Sequence, residues 1–338
     1  MFPLFQSIFS SSTNATEAYP EWLVEKAMER AVDAIDPRIR ALGGYRKKLL
    51  PSVIHAIEHV VKMVDDLPPP IEGEREHFRK NPVLAAFFVS ANEMQNFFSN
   101  QRVLLDYLDN LSEPKPKQVV GLLMMDRIEK RVFGIDMVGE IMNRDVPQTT
   151  VSFEGHRLLD PNGQLAETLR FLKRRAFDYL IQLALQNVLS IRKDRDELER
   201  QRILLRRKLK TLQSGSWGFD LAESETRSDH ASMQKELEEI EVQLKSLPAS
   251  TEMLHAGIDA LIKIFNEAQQ QLWASPVTVI IDHMHIKRDA VSDQSRELNL
   301  IEFHNANGLT RTGQLISYPV NELLPRRDLF KEARRYLS

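Results

Sequence analysis

The longest regular pattern of apolar and polar positions runs from Gln164 to Trp273, out and back across a short polar break that contains Ser, Gly and Trp. On the return limb Met233, Leu237, Ile240, Leu244, Leu247, Leu254, Ile258, Leu261, Phe265, Ala268 and Leu272 alternate at spacings of four and three, with only Thr251 interrupting. That spacing predicts a coiled-coil seam. It keeps its phase across Pro248, so the limb reads as one kinked helix or two coaxial ones, with Ser250 or Thr251 available to cap the restart.

The outgoing limb carries a matching stripe of Phe177, Ile181, Ala184, Val188, Ile191, Leu198, Leu205 and Leu209, with Arg195 and Arg202 at two seam positions. Reflection about a midpoint near Leu221 sets Leu209 beside Met233, Leu205 beside Leu237 and Val188 beside Leu254, which predicts an antiparallel hairpin. A helix from Gln164 to Leu212 would extend about 73 Å at 1.5 Å per residue, so part of the hairpin is expected to project as an arm.

Charge agrees with that pairing. Arg192, Lys193, Arg200, Arg206, Arg207 and Lys208 make the outgoing limb basic, whereas Glu223, Glu225, Asp229, Glu236, Glu238, Glu239 and Glu241 make the return limb acidic. The basic run could track a phosphate backbone, but an acidic limb beside it weakens the field that counterion release needs.

Elsewhere the pattern is shorter. Residues 1–19 read as a flexible tail. A helix is expected from Pro20 to Asp36-Pro37, with Leu23, Ala27, Met28, Ala31 and Ile35 on one side. A second follows Gly43-Gly44 with a stripe of Leu50, Ile54, Ile57, Val61 and Val64, and Pro68-Pro69-Pro70 stops it. Two more, from Asn81 and from Val103, complete a helical bundle over 20–111. From Val119 the period shortens, and Val119–Met125, Val132–Met142 and Thr149–Leu158 read as three strands, the first two joined near Glu129-Lys130. Beyond the arm, Pro276–Ile286 reads as a strand, and Arg296–His304 pairs with Leu309–Tyr318 across Asn307-Gly308. A last helix is expected from Pro325, rich in Arg. The two strand sets, 117–162 and 274–338, merge into one sheet-containing head because the hairpin of 163–273 returns its ends to one place. The fold class is α+β and predominantly helical: an N-terminal bundle, a small antiparallel sheet and a long coiled-coil hairpin.

Composition narrows the chemistry more than it suggests one. The 338 residues are 42% hydrophobic and 28% charged, which excludes disorder of the whole chain. With 45 Lys+Arg against 48 Asp+Glu, a net charge of -3 leaves no global field for nucleic acid or an acidic membrane. The absence of cysteine removes disulfides, thiol catalysis and Cys-ligated metals together. Phe2–Phe9 is apolar but has no basic start, and no run is long enough to span a membrane, so a cytoplasmic location is expected.

Candidate chemistry is sparse. His55, Glu58 and His59 fit the H-x-x-E-H spacing of inverted zinc peptidases, but the resemblance covers only those positions. It also places both histidines on the face opposite the Leu50–Val64 stripe. His283 and His285 would share one face of the 276–286 strand, a weak metal candidate whose nearest third ligand, His304, falls opposite Ile280 or Ile281, several residues from the pair, if a short connection joins the two strands. No G-x-S-x-G elbow, P-loop or dinucleotide turn occurs, and no catalytic residue, metal or cofactor is assigned. Trp217 and Phe219, in a polar segment with no core of its own, are the predicted partner-binding residues at the arm's tip. The reading is a non-catalytic protein–protein interaction, adaptor or assembly component. Nucleic-acid binding through the basic limb or C-terminal helix is the alternative, and a metal-dependent hydrolase is third.

Overall fold

The computed structural model describes residues 19–138, 141–214, 223–249, 252–292 and 295–325. In chain order the elements are α1 (Glu21–Ile35), a 3₁₀ turn (Pro37–Ala41), α2 (Tyr45–Asp65), β1 (Ile71–Glu72), α3 (Pro82–Phe87), α4 (Ala91–Ser99), α5 (Arg102–Asp109), β2 (Gln118–Val138), β3 (Ile141–Asn162), α6 (Leu165–Ser214), α7 (Glu223–Ser246), α8 (Met253–Asn266), α9 (Ala268–Gln271), β4 (Leu272–Asp282), β5 (Ser295–Asn305) and β6 (Thr310–Pro319). Helix accounts for 54% and strand for 26%, so the chain is a mixed α and β protein with helix in the majority. The described residues divide into two compact units, one of 59–176 with 269–325, the other of 19–58 with 177–268.

The first unit is built on a sheet in the order β3-β2-β6-β5-β4. β2 and β3 form one long hairpin, paired from Val120↔Asn162 out to Val138↔Ile141 with three register shifts. The hairpin of β5 and β6 turns at Gly308, whose φ of 76° is the left-handed conformation that glycine adopts without strain. There the Asn305 side chain accepts from the N–H groups of Asn307 and Leu309, as its short amide suits it to do. β5 pairs with β6 only from Ile301 to His304, and further along β6 the vacated edge is taken by β1 in parallel, Ile71↔Ile316 and Glu72↔Ser317.

Between β4 and β5 the chain turns on one carboxylate. Buried Asp282 accepts from the N–H groups of Met284 and Ile286 through Oδ1 and from the Arg288 guanidinium through Oδ2 at 2.8 Å. His285 takes a positive φ of 60° there. The segment so shaped bonds β4 on one side, Asp282 N–H to the Ile286 carbonyl and Arg288 N–H to the Ile280 carbonyl. On its other side it bonds β3, Lys287 N–H to the Thr149 carbonyl and Val151 N–H to the His285 carbonyl. The two outermost strands are thereby bridged, which leaves neither edge open over that stretch.

One face of the sheet carries Leu123, Met125, Val151, Phe153, Leu298, Leu300, Ile316 and Tyr318, buried with Phe87, Phe88, Met94, Phe98, Leu104 and Leu108 of α3, α4 and α5. Two of these short helices, α3 and α4, start on side-chain caps. Asn81 accepts from Val83 N–H ahead of Pro82, and Ser90 accepts from Glu93 N–H while the Glu93 carboxylate reaches back to Val89 N–H. The first turns of α6 join this unit through Thr168 Oγ1, which donates to the Val120 carbonyl at 2.9 Å, and through buried Lys173, paired with Asp65 at 2.7 Å.

The second unit is helical. Val24, Met28, Ala31, Val32 and Ile35 of α1 are buried, as are Leu180, Ile181, Ala184 and Val188 of α6 and Ile258, Leu261 and Phe265 of α8. Gly257 is where α8 comes close: a Cβ there would lie 2.8 Å from Ile35 Cγ2. Asp36 caps the 3₁₀ turn by accepting from Arg38 N–H and meets the guanidinium of Arg192 on α6 at 3.4 Å. The Arg38 guanidinium, with some help from Arg192, outweighs burial and holds the Asp36 carboxyl down to about 2.

Several expectations are corrected. The three strands before α6 are two: the chain does not turn at Glu129-Lys130, where charged side chains sit on a continuous strand, and Val132–Val138 continues β2. Of the one kinked helix or two helices expected on the return limb, the structure has two, α7 ending at Ser246 and α8 beginning at Met253 with Pro248 between them. The last seam position, Leu272, begins β4 instead. On α2 the buried residues are Leu49, Val53, Ala56, Ile57, Val60, Met63 and Val64, so Ile57 and Val64 of the predicted stripe are buried, while Ile54 and Val61 are half-buried and Leu50 is 43% exposed.

Candidate functional site

Within the second unit α6 and α7 share a small apolar cluster: Leu205, Ile240 and Leu244 are buried, and Leu198, Met233 and Leu237 pack against them. Arg195, at an expected seam position, donates to the Pro248 carbonyl at 3.0 Å in the break between α7 and α8 and pairs with Glu199. Large apolar side chains also lie outside the cluster, with Ile203 47%, Leu204 56% and Val242 66% exposed.

The six basic residues of the outgoing limb differ in their surroundings. Arg206 meets Glu241 of α7 at 2.5 Å, and Arg192 meets Asp36. Lys193, Arg200, Arg207 and Lys208 are exposed. At least two of the six therefore face a carboxylate of this chain, which cancels part of the field a phosphate backbone would feel. Trp217 and Phe219 lie outside the described residues, as do residues 326–338 of the expected C-terminal helix and the tail before Tyr19.

The histidine candidates are not brought together. β4 stops at Asp282, so His283 and His285 fall in the Asp282 turn and share no strand face; His283 is exposed, while His285 Nδ1 lies 3.3 Å from the Val151 carbonyl. His304 is not opposite Ile280 or Ile281 but opposite Trp273. The assumption that failed is a short connection: twelve residues, 283–294, separate the strands. His55 and His59 of α2 are half-buried. The Leu272 carbonyl lies 2.6 Å from His59 Nε2, and because a carbonyl can only accept, that nitrogen carries a proton and is closed to a metal.

What the register of β4 and β5 does assemble is a polar chain that the sequence reading missed. Ser275 Oγ lies 2.9 Å from His304 Nε2, His304 Nδ1 lies 3.0 Å from Thr310 Oγ1, and the His304 ring stacks on Trp273 with centroids 5.3 Å apart. Ser275 and Trp273 line a cleft of about 360 Å³ with His59, Lys62, Asp66 and Pro276. A serine beside an imidazole suggests acyl transfer, but the third place is held by a hydroxyl, which cannot stabilise an imidazolium as a carboxylate does. The only signal for this grouping is which residue pairs with His304, and a strand start misplaced by four residues conceals it.

Among the described residues no helix is long and apolar enough to cross a membrane. Compared with known proteins, the chain matches no family model, no curated protein and no solved structure.

Proposed function

We propose that this is a non-catalytic protein–protein interaction component, of the adaptor or assembly kind, whose contact surface is the α6–α7 pair read as an antiparallel coiled-coil hairpin. The antiparallel reading is supported by the order of contacts in the second unit. Phe177 stacks on Phe265 of α8 at 5.2 Å, Arg195 reaches Pro248 and Arg206 reaches Glu241, so later residues of α6 meet earlier residues of the return.

The observation that carries the interaction is the exposure of Ile203, Leu204 and Val242 in sequence next to a cluster whose central residues Leu205, Ile240 and Leu244 are buried. Large aliphatic side chains left in water on two neighbouring helices are what a covering partner removes from solvent. Trp217 and Phe219, in the sequence between α6 and α7, extend the proposed contact with the residue types that anchor interfaces. Affinity purification with mass spectrometry tests it: a partner that is lost on Trp217→Ala, Phe219→Ala substitution, with binding weakened by about 2 kcal/mol or more, supports the reading. Partner binding intact with reduced thermal stability contradicts the role of these two aromatics.

Nucleic-acid binding through Arg192, Lys193, Arg200, Arg206, Arg207 and Lys208 is the second reading. Strong retention on heparin that falls steeply with salt would favour it over the first.

A further inference from the structure

The polar stretch between α2 and α3 holds Glu72, Glu74 and His77 on a backbone fixed at both ends. Beyond the β1 pairing, Gly73 N–H donates to the Ser317 carbonyl at 2.8 Å. A Cβ at Gly73 would sit 2.9 Å from Ile316 Cγ2, so glycine is what lets the loop lie this close to β6. Arg75 N–H donates to the Glu322 carboxylate at 3.2 Å, and the Arg75 guanidinium donates to Gln95 and Asn92, each at 2.8 Å. Immediately after His77, Phe78 is buried in the core.

His77 Nδ1 lies 3.3 Å from Glu72 Oε2 and 3.2 Å from Glu74 Oε2. The nitrogen is shut off from solvent, yet it makes a hydrogen bond to neither oxygen. An imidazolium would aim its N–H at one of the carboxylates. Ligand atoms bound about 2.0–2.1 Å from a tetrahedral ion stand about 3.3–3.4 Å apart, close to the two distances measured from His77 Nδ1. Two carboxylates and an unbonded imidazole nitrogen within 4.8 Å of one another also bring together negative charge that a cation would relieve.

We propose that Glu72, Glu74 and His77 bind a divalent first-row transition metal, with zinc the ion that suits an imidazole–carboxylate set. Three protein ligands leave a coordination position for water or an exogenous ligand. The Glu72 side chain is 63% exposed, so the site is reached from solution. A bound ion links the β1 end of the loop to the turn before α3 and stiffens that segment against β6.

Zinc titrated into the chelator-stripped full chain, in competition with a chromophoric chelator, tests this. The expected result is one equivalent bound by the wild type, with affinity lowered more than about ten-fold by His77→Ala or Glu74→Gln and unchanged by His283→Ala, His285→Ala, because losing even an outer-shell partner costs about 10–100-fold. Zinc should raise the melting temperature of the wild type and not of the first two variants. Circular dichroism in chelator checks that the variants fold, and Glu72→Gln, at the most exposed ligand, replaces any that does not. No stoichiometric zinc in the wild type, binding undiminished in the site variants, or a loss that follows His283 and His285 overturns the proposal.

Discussion

Arg206 on α6 and Glu241 on α7 are ion-paired at 2.5 Å between Nη2 and Oε1, beside the buried residues Leu205, Ile240 and Leu244. The two side chains are 57% and 35% exposed, so water screens them and the pair contributes only about 0.2–1 kcal/mol. A double-mutant cycle of Arg206→Ala and Glu241→Ala should give a coupling in that range at low salt. It should vanish near 1 M salt, where the screening length is about 3 Å. No coupling at low salt would mean that the two helices do not hold this register in solution.

Burial, more than charge, should hold α7 to α6. Ile240 is 5% exposed, so Ile240→Ala is expected to cost about 2–4 kcal/mol, while Ile203→Ala, at 47% exposure, should change stability by no more than about 0.5 kcal/mol. Denaturant unfolding of the two variants measures the contrast. Equal effects would show that the apolar cluster is not what holds the two helices.

Asp282 organises the segment that bridges β3 and β4, so Asp282→Ala should cost about 2–3 kcal/mol by leaving the Met284 and Ile286 N–H groups without their acceptor. Burial alone would raise the Asp282 carboxyl, but the Ile286 N–H, the Arg288 guanidinium and the Met284 N–H hold it below its ordinary value. A depressed carboxyl stabilises the fold above its unfolded value, about 3.9, and that contribution is lost as pH falls below it. Amide exchange should quicken at Val151 and Lys287, whose N–H groups make the bridge to β3. Unchanged protection there would contradict this role for Asp282.

His156 should make stability sensitive to mild acid. Its ring stacks on Phe88 at 4.8 Å and meets Phe97 edge-on, and its Nε2 is buried without a hydrogen bond. Burial pushes its pKa below the ordinary 6.5, against a backbone hydrogen bond at Phe87 and the charge of Glu93. The neutral ring is therefore the folded form. Its contribution is full above about pH 6.5, the unfolded value, and is lost as pH falls through the lower folded value. Melting temperatures measured between about pH 7.5 and pH 5 should fall less for His156→Phe than for the wild type. Identical slopes would remove His156 as the cause.

The parts of the fold legible in the sequence are those fixed by local chemistry. Asn307-Gly308 announces its hairpin because the turn needs the positive φ that Gly308 takes, and Pro68-Pro69-Pro70 follows the end of α2 because proline cannot continue a helix. Glu129-Lys130 misled because charge marks a turn only when nothing pairs it; Glu129 accepts Lys287 at 3.0 Å from across the sheet. The Ser275–His304 contact and the cluster of Glu72, Glu74 and His77 were not legible. The first depends on strand register, and the second on β1 filling the edge that β5 leaves on β6, a relation between residues about 245 apart.

The most direct test of the interaction reading compares the proteins captured by the wild type with those captured by Ile203→Ser, Leu204→Ser, Val242→Ser, quantified by mass spectrometry at matched expression. All three side chains are exposed, so the melting temperature should be nearly unchanged. The account predicts a stoichiometric partner on the wild type that is depleted more than about ten-fold on the variant, a change of about 1.4 kcal/mol in binding. The same partner retained at the same level on a folded variant, or a wild type that captures only nucleic acid, would contradict it.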